Sequence, residues 1–412
     1  MALLVQKYGG TSVGDPERIR RVADRISRYR GRGHDLVVVV SAMGQTTDEL
    51  VTLAASVTPD AVRRHPREMD MLLTAGERIS MALLAMAIRE QGLEAISFTG
   101  SQAAIITDDR HTVARIEEVR ADRVRRELAA GRVVIIAGFQ GVSRGREVTT
   151  LGRGGSDTTA VALSAALGAE RCDIFTDVDG IFTADPRKVT SARRIPLIGY
   201  DEMLELAAAG ASVTHPRAVE IAARYGVVVR VLSSLLEGED GGTTIARRIP
   251  SMEDPVLTGV ASEAGYGQLV LRGLPPEMTT MTLVLSRLTL AEVSVDLLTQ
   301  VDQADGRRSI QLTVAASELT QAEETCQGVV AELGGEGVDV THDLARLTLV
   351  GSGMHKRPGV FARAFQVLRD QGVEVHSVSA TSISIILMVG GQDEDRAVRL
   401  LHEAFKLEEV GQ

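Results

Sequence analysis

In the first half of the chain, short apolar segments alternate with longer amphipathic ones. Nearly continuous apolar runs are typical of strands covered on both faces. Such runs predict strands at residues 3–6, 36–40, 133–137, 174–176 and 227–232. The segments between them carry apolar residues at helical spacing. Strands that alternate with helices in this way indicate an α/β domain with a largely parallel sheet.

The ends of three helices can be located. Asp15 and Pro16 suit the cap and first turn of one helix. A second is predicted over residues 69–91, and a third over 156–167, where Gly168 closes it. Glycine and polar residues follow four predicted strands, where open parallel sheets bind ligands. These residues are Gly9 and Gly10, Ser41, Gly138 and residues 177–180.

The pattern changes near residues 237–242, which are rich in glycine and acidic residues. From there to about Pro255 we predict a linker. Beyond it, a weaker succession of strand, helix and strand begins near residue 269 and recurs near residue 347. Two copies of a ferredoxin-like βαββαβ module are therefore expected. The predicted domains are residues 1–250, 256–343 and 344–412.

Composition restricts the function. A net charge of −10, 3% aromatic residues and no tryptophan argue against nucleic acid and anionic membranes as partners. Two cysteines far apart in sequence fit a reducing compartment. The apolar start is too short for a signal peptide, and no apolar run approaches membrane-spanning length. We expect a cytoplasmic protein.

Two glycine-rich segments carry the candidate chemistry, KYGGTS at residues 7–12 and LGRGGSDT at 151–158. Glycines let backbone N–H groups converge on an anion, and a following helix N-terminus adds partial positive charge. Neither segment matches GxxxxGK[ST] or GxGxxG. With Lys7 and Arg153 as their cations, the two segments suit a site that holds a polyphosphate against an anionic substrate.

Each of these residues also has a simpler interpretation. Lys7 suits a point charge on a transferring phosphate, or a solvated strand end. Ser156 and Asp157 suit an anion site, or helix capping and a first turn. Capping does not explain Arg153, whose planar guanidinium group can bind a carboxylate through two hydrogen bonds.

Glu77 follows Gly76 inside a predicted helix. A mid-helix glycine costs ~1 kcal/mol relative to alanine, which indicates a close approach there. The alternative is a surface ion pair of Glu77 with Arg78 or another neighbour. Taken together, Arg153 and Glu77 match the anionic and cationic ends of an amino acid. Residues 176–180 and 183–187 suit a nucleotide pocket, or turns alone.

No pairing of a nucleophile with a base, and no metal-ligand spacing, stands out in the sequence. A substrate carboxylate, with a pKa near ~4, is already ionised and needs no base. Catalysis would then consist of positioning and charge neutralisation, and the product would be an acyl phosphate.

Six motifs in order resemble aspartate kinase: KYGGTSV at 7–13, VSAMG at 40–44 followed by Thr47, TAGER at 74–78, GFQG at 138–141, TLGRGGSD at 150–157 and TDVDGIFTADPR at 176–187. The resemblance implies an amino-acid-kinase fold, an open αβα sandwich, followed by two ACT regulatory domains. It also implies ATP-dependent, Mg²⁺-assisted phosphorylation of the side chain of L-aspartate to 4-phospho-L-aspartate. That reaction is the first step toward lysine, threonine and methionine.

The resemblance assigns roles residue by residue. Lys7 and Asp157 would be catalytic: Lys7 would stabilise the transferring phosphoryl group, with Asp157 orienting it or the metal. The residues expected to bind aspartate are Ser41, Thr47, Glu77, Arg153, Gly154, Gly155 and Ser156. Those expected to line the nucleotide pocket are Lys7, Tyr8, Gly9, Gly10, Ser41, Thr176, Asp177, Phe182, Asp185 and Arg187.

The resemblance further implies a homo-oligomer joined through ACT domains, lysine and threonine as effectors, and Met252 as a candidate start of a shorter subunit. Three departures from the family pattern stand out. Ser212 replaces a lysine expected to reach ATP phosphates, and residues 275–279 and 379–382 depart from the effector-site pattern, whereas 357–360 retain it. Altered feedback regulation is therefore expected. The alternative, which Ser212 favours, is a non-catalytic sensor of nucleotides or amino acids.

Overall fold

The computed structural model describes residues 2–211, 213–236, 241–248, 256–354 and 359–409. The helices within them are α1 (Pro16–Gly31), α2 (Thr46–Val57), α3 (Ala61–Arg64), α4 (Pro66–Glu90), α5 (Asp122–Ala129), α6 (Gly155–Leu167), α7 (Tyr200–Ala208), α8 (Pro216–Tyr225), α9 (Met278–Leu290), α10 (Leu319–Glu332), α11 (Val360–Asp370) and α12 (Glu394–Ala404). The strands are β1 (Leu3–Tyr8), β2 (Asp35–Val40), β3 (Ala95–Phe98), β4 (Ile105–Thr107), β5 (Ile116–Val119), β6 (Val133–Ala137), β7 (Gln140–Ser143), β8 (Val148–Thr150), β9 (Arg171–Thr176), β10 (Leu197–Gly199), β11 (Val229–Ser233), β12 (Thr243–Ala246), β13 (Gly259–Leu274), β14 (Val295–Asp302), β15 (Arg308–Ala315), β16 (Gly337–Val350), β17 (Val375–Ala380) and β18 (Ser384–Gly390).

The first half of the chain forms an eight-stranded sheet in the order β10-β12-β11-β9-β1-β2-β6-β3. All neighbours are parallel except β11 and β12. Alternate residues of the central strands enter two separate cores. Val5 packs on the face covered by α6 and α8, and Leu4 packs on the face covered by α1 and α4. Burial on both faces explains the continuous apolar runs and confirms the predicted α/β fold.

The predicted helices are present with small shifts at their ends. Asp15 caps α1 by accepting the N–H of Arg18 at 2.8 Å. Gly168 adopts a left-handed conformation (φ 65°) at the end of α6. The expectation that no apolar run approaches membrane-spanning length was wrong for α4, the one described helix that is long and apolar enough by length and composition. Half of its most apolar window, however, is buried in the fold. That burial is typical of a core helix.

The linker prediction was wrong in part. Residues 243–246 within it form β12, which pairs with β11 through Val229 and Ile245 and with β10 through Leu197 and Thr244. Only one residue of β12, Ile245, is a large apolar residue. The strand therefore depends on pairing with remote strands rather than on a local pattern.

A small sheet in the order β5-β4-β7-β8 contacts α4. Its last strand, β8, leads directly into the glycine-rich segment before α6. This small sheet therefore connects the first half of α4 to the candidate anion site.

The second half forms a six-stranded antiparallel sheet in the order β14-β15-β13-β16-β18-β17. The long strands β13 and β16 pair from Gly259 with Val350 to Arg272 with Gly337. The later part of β13 belongs to a first βαββαβ unit, whereas residues 259–264 pair with 344–350 and add the fourth strand to a second unit. The two units thus share both long strands. The domain boundaries at 256, 343 and 344 stay a prediction.

This sheet packs against the kinase-like half. Ala261 and Val350 share a core with Ile198 and Met203. Arg346 of β16 donates to the carbonyl of Ala208, at the end of α7, at 2.6 Å. A cation at a helix C-terminus is favourably placed, so this contact stabilises the junction.

Candidate functional site

The candidate site lies where the carboxyl ends of β9, β1, β2 and β6 adjoin. Backbone hydrogen bonds continue past the strands: Gly9 N–H donates to Phe175 at 3.2 Å, Ser41 N–H to Tyr8 at 3.1 Å and Gly138 N–H to Val40 at 2.9 Å. The four predicted strand-end segments are therefore neighbours. A Cβ at Gly10 would lie 2.9 Å from the carbonyl oxygen of Ala42, so glycine is needed there.

Lys7 reaches across the sheet edge to the first turn of α6. Its Nζ lies 2.6 Å from Oδ1 of Asp157, and the two side chains are 12% and 11% exposed. The interpretation of Lys7 as a solvated strand end was therefore wrong. A Cβ at Gly9 would lie 3.5 Å from Nζ, so the glycine turn runs beside the ammonium group.

The N-terminus of α6 is built from glycine. Gly154 is its N-cap, with φ 66° and no capping side chain. Ser156 is the second helical residue, so its interpretation as the N-cap was wrong. A Cβ at Gly138 would lie 2.6 Å from the Ser156 hydroxyl, which places this hydroxyl at the end of β6. The uncapped N–H groups and the helix dipole suit an anion.

Glu77 is 3% exposed and lies inside the fold, so its interpretation as a surface ion pair was wrong. Its Oε1 accepts the N–H of Ala42 at 3.1 Å, and its buried Oε2 accepts no hydrogen bond from the described residues. Burial raises the pKa of Glu77 to about 7. A ligand ammonium group would satisfy Oε2 and favour the charged carboxylate.

The close approach predicted at Gly76 is made by the protein itself. A Cβ there would lie 2.7 Å from that of Ala42, in the segment after β2. Gly76 thus lets α4 bring Glu77 to the sheet edge. The start of α2 lies nearby, since Thr46 Cγ2 is 3.6 Å from the same position. Thr47 follows there and is half-buried.

Arg153 is exposed and forms no ion pair with the residues that the structure describes. It stands between Gly152 and Gly154, both with positive φ. A Cβ at Gly154 would overlap the ring of His215, at 2.2 Å. The loop is therefore fixed at its base while the guanidinium group faces solvent.

The predicted nucleotide residues fall into two groups. Thr176 and Asp177 end β9 beside Gly9, and their side chains share a hydrogen bond of 3.0 Å. Tyr8 is completely buried, and its ring stacks on Phe175 at 4.7 Å. Burial raises the pKa of Tyr8. The side chain of Tyr8 therefore belongs to the core, and its carbonyl accepts the N–H of Ser41.

The second group of predicted nucleotide residues, Phe182, Asp185 and Arg187, lies in a loop that contacts the C-terminal half of the protein. Asp185 accepts from Arg187 Nη2 at 2.7 Å, and this guanidinium group lowers the pKa of Asp185. Ala184, next to it, lies in the core of the second βαββαβ unit. The hydroxyl of Thr183 lies 2.9 Å from Nε2 of His402 in α12. The loop that also contains Phe182 is thus attached to the second unit.

The structure adds three residues whose roles were not predicted from the sequence: Asp70, Thr150 and Arg217. Asp70 is completely buried and accepts from the Thr150 hydroxyl at 2.6 Å. Arg217 donates to the carbonyl of Leu151 at 2.6 Å. Asp70 lies seven residues before Glu77, and so on nearly the same side of α4. That spacing is the one signal by which sequence could have indicated it.

Two protein families match this chain, one in each half of the fold. Residues 2–233 match the amino acid kinase family, and residues 347–405 match the ACT domain. The fold and site therefore define an amino acid kinase with a C-terminal ACT domain.

Curated relatives match nearly the whole chain. The aspartokinase of Bacillus sp. (strain MGA3) is 45% identical over 99% of this chain and 98% of its own length. That of Mycolicibacterium smegmatis is 47% identical over 99% and 97%. E. coli aspartokinase III, solved with aspartate and ADP, has a TM-score of 0.79 at 29% identity, covering 98% of this chain and 99% of its own. The chain belongs to the aspartokinases of the amino acid kinase family, which confirms the prediction of an aspartate kinase.

Proposed function

We propose that the chain transfers the terminal phosphoryl group of ATP to the side-chain carboxylate of L-aspartate. The observation that carries this reaction is the contact of Lys7 with Asp157 at the uncapped N-terminus of α6, where four strand ends adjoin. Family membership supports the choice of substrate. The E. coli relative was solved with aspartate and ADP.

Arg153 and Glu77 would orient the substrate. The exposed fork of Arg153 pairs with the α-carboxylate, and the open Oε2 of Glu77 accepts the ammonium group. Both groups are on the α carbon of aspartate, so holding them fixes the direction of the side chain. Ser41, Thr47, Ser156 and the backbone of Gly154 and Gly155 complete this subsite.

The chemistry requires no general base. The aspartate side chain is ionised at neutral pH, so its oxygen attacks the γ-phosphorus directly. A new P–O bond forms, the bond to the bridging oxygen breaks, and ADP leaves with the electron pair. Lys7 and the N–H groups of Gly9, Gly10 and α6 offset the negative charge that accumulates between two anions. The nucleotide is held further along the edge by Thr176, Asp177, Phe182, Asp185 and Arg187.

The donor set fits Mg²⁺ in its usual role with nucleotides. Mg²⁺ binds through one or two carboxylates together with substrate phosphates and keeps several waters. Asp157 supplies one such carboxylate beside Lys7. When bound, the ion would neutralise phosphate charge, and the Lys7 ammonium group would supply a second positive charge beside it.

We also propose regulation through the C-terminal half. The first βαββαβ unit has the same spatial order of strands as the unit that contains the ACT match, so we assign it as a second ACT domain. The E. coli relative was also solved with lysine and aspartate, with a TM-score of 0.75 at 29% identity over 98% of this chain and 99% of its own. Lysine or threonine as effectors, a homo-oligomer joined through these domains and a cytoplasmic location remain proposals. Ser212, Met252 and residues 357–358 lie outside the described residues.

Trapping the product with hydroxylamine tests the function. With ATP and Mg²⁺, we expect a hydroxamate from aspartate, and none from glutamate or N-acetylglutamate. Product from glutamate alone would overturn the substrate assignment. Repeating the assay with lysine and threonine, separately and together, tests the effectors, and unchanged rates would contradict the proposed regulation.

A further inference from the structure

Asp70 lies outside the proposed catalytic groups, yet both of its carboxylate oxygens have polar partners. Its side chain is fully buried. Oδ1 accepts the N–H of Thr112 at 3.0 Å and the hydroxyl of Thr150 at 2.6 Å, and Oδ2 lies 2.6 Å from Nδ1 of His111. Burying a carboxylate is costly unless such donors satisfy it. A well-packed apolar residue would often stabilise the helix contact as well, so stability does not explain this choice.

The partners of Asp70 form the base of the loop that carries Arg153. Thr150 ends β8 and is followed by Leu151, Gly152 and Arg153. The carbonyl oxygen of Thr112 lies 3.1 Å from the position of a Cβ at Gly152. Thr112 itself has φ 66°, an unfavourable conformation for a β-branched residue. Asp70 therefore holds both segments that border the Arg153 loop.

Arg217 of α8 holds the same loop base through other atoms. It donates to the carbonyl of Leu151 at 2.6 Å and to that of Ala114 at 2.9 Å. Ala114 N–H in turn donates to the carbonyl of Thr150 at 2.9 Å. The loop base is thus held between an anion on α4 and a cation on α8, while Arg153 at its tip remains exposed.

Helix α4 carries both Asp70 and Glu77. Their seven-residue spacing corresponds to about 10 Å along the helix axis. One rigid element therefore positions the carboxylate for the substrate ammonium group and supports the loop for the substrate carboxylate.

We propose that Asp70 is a positioning residue that sets the affinity for aspartate by fixing the loop of Arg153. This inference rests on the proposed function, in which Arg153 binds the α-carboxylate. Asp70 acts through Thr150 and Thr112 and does not contact the substrate.

The test measures steady-state constants of the full-length enzyme. Asp70→Asn keeps an oxygen acceptor but removes the charge that strengthens the hydrogen bonds from Thr112 and Thr150. Because this loosens only the Arg153 loop, we expect KM for aspartate to rise about tenfold, with KM for ATP and kcat within about twofold. Thr150→Val should raise KM for aspartate to a similar extent. Thr150→Ser keeps the hydroxyl group and should therefore keep the affinity of the parent enzyme for aspartate.

The matched control is Glu147→Gln. Glu147 lies in the turn before β8, and its exposed carboxylate forms a 2.8 Å ion pair with Arg67 of α4, which this substitution removes. It should change none of these three constants.

A double-mutant cycle separates positioning from a general loss of structure. In an Arg153→Ala background, Asp70→Asn should add little further increase in KM for aspartate. Full additivity, or equal rises in both KM values, would overturn the inference. If Asp70→Asn fails to fold, the comparison of Thr150→Val with Thr150→Ser tests the inference by the same criteria. If Arg153→Ala leaves KM for aspartate unchanged, the assignment of Arg153 fails first, and the inference fails with it. If Arg153→Ala raises KM but Asp70→Asn and Thr150→Val do not, the inference alone is overturned.

Discussion

Nζ of Lys7 lies 2.6 Å from Oδ1 of Asp157, which joins the first strand to the N-terminus of α6 across the sheet edge. The two residues are far apart in sequence, and both side chains are largely shielded from solvent. The pair holds the Lys7 ammonium group in the anion site before any substrate binds. Preorganised charge of this kind stabilises a transition state without reorganisation during the reaction.

Replacing Lys7 should therefore slow the chemical step. We expect Lys7→Met to lower kcat by about 10²–10³-fold, because one preorganised donor to the transferring group is lost. Circular dichroism should show an unchanged fold. Lys406→Met removes an exposed lysine that pairs with Glu409, and it should leave kcat unaltered. A near-normal rate for Lys7→Met would contradict the assigned role.

Glu77 should give aspartate binding a pH dependence. Because burial raises the pKa of Glu77 to about 7, the free enzyme loses the carboxylate charge as the pH falls below that value. We expect log(kcat/KM) for aspartate to fall by about one per pH unit below pH 7 and to level off above it. Glu77→Gln should lower kcat/KM and remove this step. A step that persists in the variant would assign the titration to another group.

The same group should lower stability at high pH. The folded-state pKa of Glu77, about 7, lies above its ordinary value of 4.5. Its contribution to stability is therefore fully present below the unfolded pKa and is lost as the pH rises through 7. The free energy of unfolding of Glu77→Gln, relative to the parent protein, should increase by roughly 3 kcal/mol between pH 4 and pH 8. Urea unfolding of both proteins without ligands measures this difference, and a constant difference would show that Glu77 is not desolvated.

Two glycines at opposite ends of α6 should respond differently to substitution. Gly154 and Gly168 both have left-handed φ values, 66° and 65°. A Cβ at Gly154 would overlap the His215 ring, whereas one at Gly168 meets no atom within 4 Å. Gly154→Ala should raise KM for aspartate at least tenfold, and Gly168→Ala should cost about 1 kcal/mol of stability from backbone strain and leave kinetics unchanged. Kinetics and thermal unfolding of the two variants check this, and a kinetic effect of Gly168→Ala would argue against local action at the N-terminus.

Much of the fold followed from local pattern. The strands near residues 36–40 and 133–137 and the helix closed by Gly168 appear within a few residues of their predicted positions, because apolar runs and end signals are properties of neighbouring residues. Strand β12 and the early part of β13 were missed. Each takes its place by pairing with a strand that is distant along the chain, and a single sequence carries no direct signal of that pairing.

The candidate site divides in the same way. A cation beside glycines, followed by the start of a helix, predicts an anion-binding segment whatever the tertiary structure is. The roles of Lys7 and Arg153 could therefore be proposed from the sequence alone. The environment of the other groups could not. Glu77 is buried rather than paired at the surface, Tyr8 faces the core, and Asp70 supports a loop some eighty residues further on. Burial and hydrogen-bond partners of this kind arise when elements remote in sequence pack together, and they set the charge state and position of each side chain.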